Sequence, residues 1–237
     1  TLFRSDFKKA GIHTQYILTS ESEETGQAFI TVDEAGQNTI LVYGGANMTL
    51  SATDVEMSVD AFIGADFVVA QLEVPFEAIE QAFKIARKQN IITVLNPAPA
   101  IELPKSLLEL TDIIIPNETE AELLTGISIN NESDMKETAT YFLDLGISAV
   151  LITLGEQGTY CAYQEQYKMI PACNVKAIDT TAAGDTFIGA FLSELNKDLS
   201  NLESAIRLAN QASSLTVQRK GAQASIPTRK EVEAEYN

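Results

Sequence analysis

The sequence has 237 residues, 45% of them hydrophobic and 21% charged, with 13 Gly and 7 Pro; these are the proportions of an ordinary globular chain and exclude disorder, a collagen-like repeat and a disulfide scaffold. Its 16 Lys+Arg against 33 Asp+Glu leave a net charge of −17, so nucleic acid and an anionic membrane surface are repelled. The single His13 excludes a histidine-rich zinc site and, with no Ser or Cys nucleophile motif beside it, a hydrolase triad; chemistry has to rest on carboxylates, amides and backbone.

Residues 2–10 place Phe3, Phe7 and Ala10 on one helical face, and Gly11 stands where a helix stops. From Thr14 the period changes to two. TQYILTS (14–20), GQAFITVD (26–33) and NTILVYG (38–44) read as three strands, the last two joined by the turn-rich EAGQ. This small antiparallel sheet over 14–43 carries many polar residues, which suits a lid with one face toward a ligand or partner. Thr53, three residues before Glu56, reads as a capping box that opens a helix.

Strands and helices then alternate. DFVVAQL (66–72), IITVL (91–95), DIII (112–115) and AVLITL (149–154) are short continuous apolar runs, as buried parallel strands are, and 76–88, 118–124 and 133–145 read as the helices between them. Two strands near Tyr160 and Met169 follow, then helices over 183–195, 202–219 and 228–236. The pattern predicts an open, doubly wound, mostly parallel α/β sheet flanked by helices, with ligands at the carboxyl ends of the strands. Residues 1–13 and 44–237 form that core in this reading, and 14–43 part of the lid. Cys161 and Cys173 are too far apart for a CxxC pair and too few for a stapled secreted fold, which fits a reducing cytoplasm. No run of eighteen apolar residues and no basic-then-apolar opening is present, so neither a membrane span nor a signal peptide is expected.

The segment Asp179-Thr-Thr-Ala-Ala-Gly-Asp185-Thr-Phe-Ile-Gly-Ala-Phe191 compresses a strand end, a small-residue turn and a helix start into thirteen residues. Small side chains at Ala182, Ala183 and Gly184 expose backbone N–H groups at the positive end of the helix, an arrangement that suits a phosphate. Asp185 lies inside this anion site. A carboxylate there either complements the helix dipole or removes a proton from an attacking hydroxyl during phosphoryl transfer. Asn117 and Glu120 open the next helix after DIII, three residues apart on one face, as a capped start or as two polar side chains presented at the carboxyl end of the strand. Thr153-Leu-Gly-Glu-Gln-Gly158 ends a strand and turns at two glycines, which make an ordinary turn or let backbone approach a ligand. Glu73, at the end of DFVVAQL, points a carboxylate toward the functional edge of the sheet, where it can accept hydrogen bonds from a ligand's hydroxyls. Asn96-Pro-Ala-Pro99 follows the next strand and reads as structural, its prolines stiffening the loop.

The DTxAAGDxFxGA form of residues 179–190 closely resembles the second signature of the ribokinase-like (PfkB-type) sugar kinases. The resemblance spans essentially the whole chain. It implies that Asp185 is the catalytic base, that Ala183, Gly184 and Asp185 form the anion hole for the transferred phosphoryl group, and that Asp179 and Thr181 help bind an activating monovalent cation. Asn117 and Glu120 match the family's NxxE motif near Mg²⁺ and phosphate. Thr153, Gly155 and Gly158 match its nucleotide-contacting strand end, and Asn210 a position near the adenine. Arg219-Lys-Gly-Ala-Gln-Ala-Ser225 is similar to the family's K⁺ loop, which assigns backbone oxygens of Thr216, Arg219 and Gly221 and the Ser225 hydroxyl to the ion; such oxygens are suitable hard ligands for it. Glu73 matches the sugar-binding acidic residue.

The implied activity is transfer of the γ-phosphoryl group of ATP to the primary hydroxyl of a pentose, D-ribose above others, by a homodimer paired through its lids. Another sugar or nucleoside kinase of the family, or a non-catalytic nucleotide-binding protein, remains open on the sequence. The family's opening strand, sugar-contacting Asn/Asp segment and GGKGAN-type motif find no match; Gly44-Gly-Ala-Asn47 follows a lid strand and is not that motif. The expectation is a portion of a longer chain rather than a shortened homologue, because missing sheet strands would leave unpaired edges and apolar surface.

Overall fold

The structure, a computed structural model, describes residues 2–32 and 38–236. Helix α1 (Leu2–Lys9) ends on two lysines, which complement its negative C-terminal dipole, and Gly11 follows in a left-handed conformation at φ 80°. Strands β1 (Gln27–Val32) and β2 (Asn38–Tyr43) pair antiparallel as a separate two-stranded sheet, with Phe29 opposite Leu41. The EAGQ segment expected to join them lies outside the described residues.

Residues 14–20 are not the third strand. Local bonds hold this segment instead: the Ile17 amide donates to the Thr14 carbonyl at 3.2 Å, Arg4 donates to the Ile17 carbonyl at 2.9 Å, and the Ser20 hydroxyl accepts from the Glu23 amide at 3.0 Å. Backbone groups satisfied in a turn leave no ladder to extend. Helix α2 (Ala52–Met57) also starts earlier than the Thr53–Glu56 reading. Ser51, extended at φ −112° and ψ 163°, is its N-cap, and Ser51 and Asp54 form the reciprocal capping box. Both pairs have the right spacing, and the residue with extended backbone takes the cap.

The main sheet comprises β3 (Phe67–Ala70), β4 (Ile92–Leu95), β5 (Ile113–Ile114), β6 (Ala149–Thr153), β7 (Gly158–Tyr163) and β8 (Gln166–Pro171), hydrogen-bonded in sequence order. The first four are parallel, and β7 and β8 continue antiparallel. Between and after them lie α3 (Phe76–Lys88), α4 (Lys105–Leu108), α5 (Glu118–Thr125), α6 (Glu132–Asp144), α7 (Ala183–Glu194), α8 (Leu202–Thr216) and α9 (Arg229–Tyr236). The short α4 carries too few periodic residues to be visible in the sequence.

Strand pleating sorts the core into two layers. Leu95, Ile114, Val150 and Ile152 face Ile79 and Phe83 of α3, Leu107 of α4 and Phe142 of α6. Their neighbours Val94, Ile113, Ala149 and Leu151 face Phe187 and Phe191 of α7 and Ile206 of α8. A continuous apolar run is therefore required at each central strand, since both faces are covered. A fully buried side chain such as Phe83 contributes about 2 kcal/mol through area removed from water. This three-layer packing sets the carboxyl ends of β3, β4, β5 and β6 in a row, and the residues just beyond them form the functional edge.

Candidate active site

The start of α7 is the centre of that edge. Ala182 takes a left-handed conformation, φ 61° and ψ 13°, so the chain reverses sharply from the 179–181 segment into the helix. Helix α8 pins this turn from behind: the Ser213 hydroxyl donates to the Ala183 carbonyl at 2.9 Å, and the buried Thr216 hydroxyl to that of Thr186 at 3.0 Å. The Ala183 amide is taken by the Thr180 carbonyl at 3.2 Å, and the Thr186 amide by the Ala182 carbonyl at 2.9 Å. Among the described residues, the Gly184 and Asp185 amides find no partner. The expected three-amide anion hole over 183–185 is thus two free N–H groups, with Ala183 serving the turn. Gly184 has open space where a Cβ would stand, so a ligand can come up to the backbone.

Asp185 is exposed on this first turn. Its Oδ1 accepts from Gln71 Nε2 at 3.1 Å, and Gln71 Nε2 also donates to Asn96 Oδ1 at 3.2 Å. Asn96 in turn donates to the Ile115 carbonyl at 2.8 Å. Gln71, Asn96 and Ile115 stand just past β3, β4 and β5, so this chain runs along the strand ends to Asp185. Glu73, exposed, lines an open groove of about 330 Å³ with Gln71, Asn47, Leu50 and Val74. The candidate sugar carboxylate and the candidate base therefore flank one side chain, Gln71.

The other strand ends carry the NxxE and glycine segments. Asn117 caps α5: its Oδ1 accepts from the Glu120 amide at 2.9 Å, and Glu120 returns the bond by accepting from the Asn117 amide at 2.8 Å and from its Nδ2 at 2.9 Å. Glu120 is 6% exposed, and burial raises its carboxyl above the usual range, against the opposing pull of the Asn117 amide. Asn117 bridges Thr153, whose amide donates to the Pro116 carbonyl at 2.9 Å, so the two segments lie side by side. Gly155 has φ +53° and open space around it. Gly158 differs: a Cβ there would stand 2.2 Å from the Ile170 carbonyl oxygen, so its glycine is required by the close passage of β8. Asn210 is likewise buried and consumed, donating to the Ile170 and Pro171 carbonyls at 3.1 and 3.2 Å and accepting from the Thr159 hydroxyl at 3.0 Å. Its amide clamps α8 to the β7–β8 hairpin and is not turned toward an open site.

Asp179 joins two turns. Its Oδ1 accepts from the Thr181 amide and its Oδ2 from the Gly221 amide, both at 3.0 Å. The Thr181 hydroxyl first, then these amides, hold its carboxyl down to about 2. The Thr216 carbonyl accepts from the Arg219 amide at 3.0 Å, and the buried Ser225 hydroxyl donates to the Ala222 carbonyl at 2.7 Å. The Arg219 side chain points elsewhere, to Glu231 at 2.8 Å. Among the described residues, no group of three or more His, Cys, Asp or Glu comes together to hold a metal. Asp179 thus ties the 179–181 turn to the loop that follows α8, with the Thr181 hydroxyl beside its carboxylate.

A family profile described as pfkB family carbohydrate kinase matches residues 1–229. The chain belongs to the pfkB family. Within this family it is 63% identical over 227 residues to the ribokinase of Staphylococcus aureus (strain COL), covering 96% of this chain and 75% of that one. It is 51% identical over 226 residues to a bifunctional ribokinase/ribose-5-phosphate isomerase A of Fructilactobacillus sanfranciscensis, covering 95% of this chain and 42% of that longer one. The solved structure of Arabidopsis thaliana ribokinase complexed with ribose and ATP matches with a TM-score of 0.85 at 33% identity, over 94% of this chain and 73% of that one. The pfkB fold thus accounts for the parallel sheet and the separate two-stranded sheet together. Gln71 and Asn96 are the residues whose place in the site the sequence marks by position alone, each standing immediately past an apolar strand.

Proposed function

We propose that the chain is a ribokinase that transfers the γ-phosphoryl group of ATP to the primary hydroxyl of D-ribose, giving ribose 5-phosphate. The observation that carries this reading is the 63% identity to a curated ribokinase over 96% of the chain. The Fructilactobacillus relative, fused to a ribose-5-phosphate isomerase, agrees with that product.

In this reading the ribose hydroxyl oxygen forms a bond to the γ-phosphorus while the bond from phosphorus to the β–γ bridging oxygen breaks, releasing ADP. Asp185 takes the hydroxyl proton as the new bond forms. The Gly184 and Asp185 amides, at the positive end of α7, stabilise charge on the transferred phosphoryl oxygens without reorganising. Glu73 accepts hydrogen bonds from ribose hydroxyls. Thr153 and Gly155 bound the nucleotide side, with Gly158 and Asn210 holding the β7–β8 hairpin behind them. Mg²⁺, when bound with the nucleotide, neutralises phosphate charge. Asn117 and Glu120 would hold it through water, because both Glu120 oxygens already accept from Asn117. K⁺ would sit at Asp179 and Thr181 with carbonyl oxygens of Thr216, Arg219 and Gly221 and the Ser225 hydroxyl. Residues 14–43 belong to a lid that excludes water from the reaction and pairs with a second copy, while 1–13 and 44–237 form the core. Both cysteines are free thiols, in keeping with a reducing cytoplasm.

The test is ATP-dependent phosphorylation by the native polypeptide across ribose, deoxyribose, fructose and adenosine, with and without K⁺. Ribose is expected to give the highest kcat/KM, with K⁺ raising the rate; failure on every acceptor overturns the kinase reading. Asp185→Asn is expected to lower kcat by about a hundredfold or more while nucleotide binding persists. An unchanged kcat would remove Asp185 from the role of base.

A further inference from the structure

We propose that Gln71 is a positioning residue for Asp185 and that Asn96 fixes the direction of its hydrogen bond; this rests on the reading of Asp185 as the base. The direction follows from one end of the chain. The Ile115 carbonyl can only accept, so Asn96 must present Nδ2 to it, at 2.8 Å, and Asn96 Oδ1 is thereby turned to Gln71. An oxygen there demands the Gln71 amide nitrogen, at 3.2 Å. The same nitrogen has a second hydrogen, and it goes to Asp185 Oδ1 at 3.1 Å. A single backbone carbonyl therefore sets both amide orientations and ends the relay as an N–H aimed at the carboxylate.

The backbone that carries Gln71 is fixed as well. The Asn96 amide donates to the Ala70 carbonyl at 3.0 Å, and the Leu72 amide donates to the Ala98 carbonyl at 2.8 Å, so the residues on both sides of Gln71 are tied to the β4 segment. Asp185 itself is exposed and starts a helix, with no side-chain partner besides Gln71 among the described residues. An unrestrained carboxylate would sample several rotamers and share each oxygen with water. With Oδ1 engaged, Oδ2 is left to take the proton. Orientation of this kind acts on the rate of transfer more than on binding.

The test is steady-state kinetics with ribose and ATP on Gln71→Met, which keeps the length and removes the amide, on Asn96→Ala, on the two together, and on Gln71→Met combined with Asp185→Asn. Gln71→Met is expected to lower kcat about tenfold with both KM values within about twofold of wild type. In the Asp185→Asn background the same change is expected to cost less than about twofold in residual turnover, measured with radiolabelled ATP, because its target is gone. Asn96→Ala is expected to lower kcat in the same direction and to add nothing to Gln71→Met. Should Asn96→Ala fail to fold for want of its bond to Ile115, the Gln71 series decides alone.

The proposal is overturned if Gln71→Met leaves kcat unchanged, if it raises the ribose KM tenfold at constant kcat, or if its full effect persists without the Asp185 carboxylate. The first would leave the contact idle, the second would make Gln71 a sugar ligand, and the third would make its action independent of Asp185. Loss of activity in Asp185→Asn with none in Gln71→Met removes the positioning role alone. Retention of wild-type kcat in Asp185→Asn removes the base reading, and the positioning role with it.

Discussion

Asp179 illustrates how one side chain can tie distant turns. Its two oxygens collect the Thr181 and Gly221 amides, the longer reach spanning 42 residues, and only the ionised carboxylate accepts both at full strength. Its ordinary value of 3.8 falls to about 2 in the folded chain. A depressed carboxyl contributes stability that is fully present above the unfolded value and is lost as pH falls through the folded one. The gap in urea midpoint between wild type and Asp179→Asn is therefore expected to hold from pH 7 to about pH 4 and to close toward pH 2. A gap that stays constant across that range would show that these bonds are not the source. If K⁺ also binds here, the wild-type midpoint at pH 7 rises with KCl over NaCl, and the variant's does not.

At the scale of elements, the capping box of α5 joins stability to the site. Asn117 and Glu120 exchange three hydrogen bonds, so the helix start is fixed by the residues proposed to stand near the phosphates. Glu120→Ala is expected to lower unfolding free energy by about 1 kcal/mol, the usual loss for a cap, and to weaken ATP binding. A variant as stable as wild type by urea unfolding would show that the burial cost of Glu120 cancels its bonds. The local elements were legible because their signals are local. The sequence places helix α3 over 76–88, its observed bounds, since apolar residues recur at helical spacing and Arg87 and Lys88 mark its end. The central strands were read as runs because both faces are covered. Residues 14–20 misled for the complementary reason: Tyr16, Ile17 and Leu18 have strand-like character, yet no neighbouring strand among the described residues takes up their backbone groups. The bond from Gln71 to Asp185 spans 114 residues and depends on which strand ends stand side by side, which no spacing in the sequence records.

For the whole molecule, the net charge of −17 sets a problem that the fold answers locally: a polyanionic nucleotide is repelled at long range and must be held by backbone N–H groups and cations. The two-stranded sheet poses a second problem. Phe29 stands opposite Leu41 across the two-stranded sheet, and Tyr43, two residues on from Leu41, shares their side; these residues are 54%, 69% and 46% exposed. A hairpin of this size is marginal by itself, and an apolar face of this kind is stabilised when a like face covers it. In the proposed dimer, pairing two lids would also restrain both over their active sites and so couple association to catalysis. Leu41→Asp is expected to shift the native polypeptide from dimer to monomer by sedimentation velocity and to raise the ribose KM, with core stability unchanged because Leu41 makes no contact with either buried layer. A variant that sediments as wild type does, at the same concentration, would place the dimer contact elsewhere and leave the lid a single-chain element.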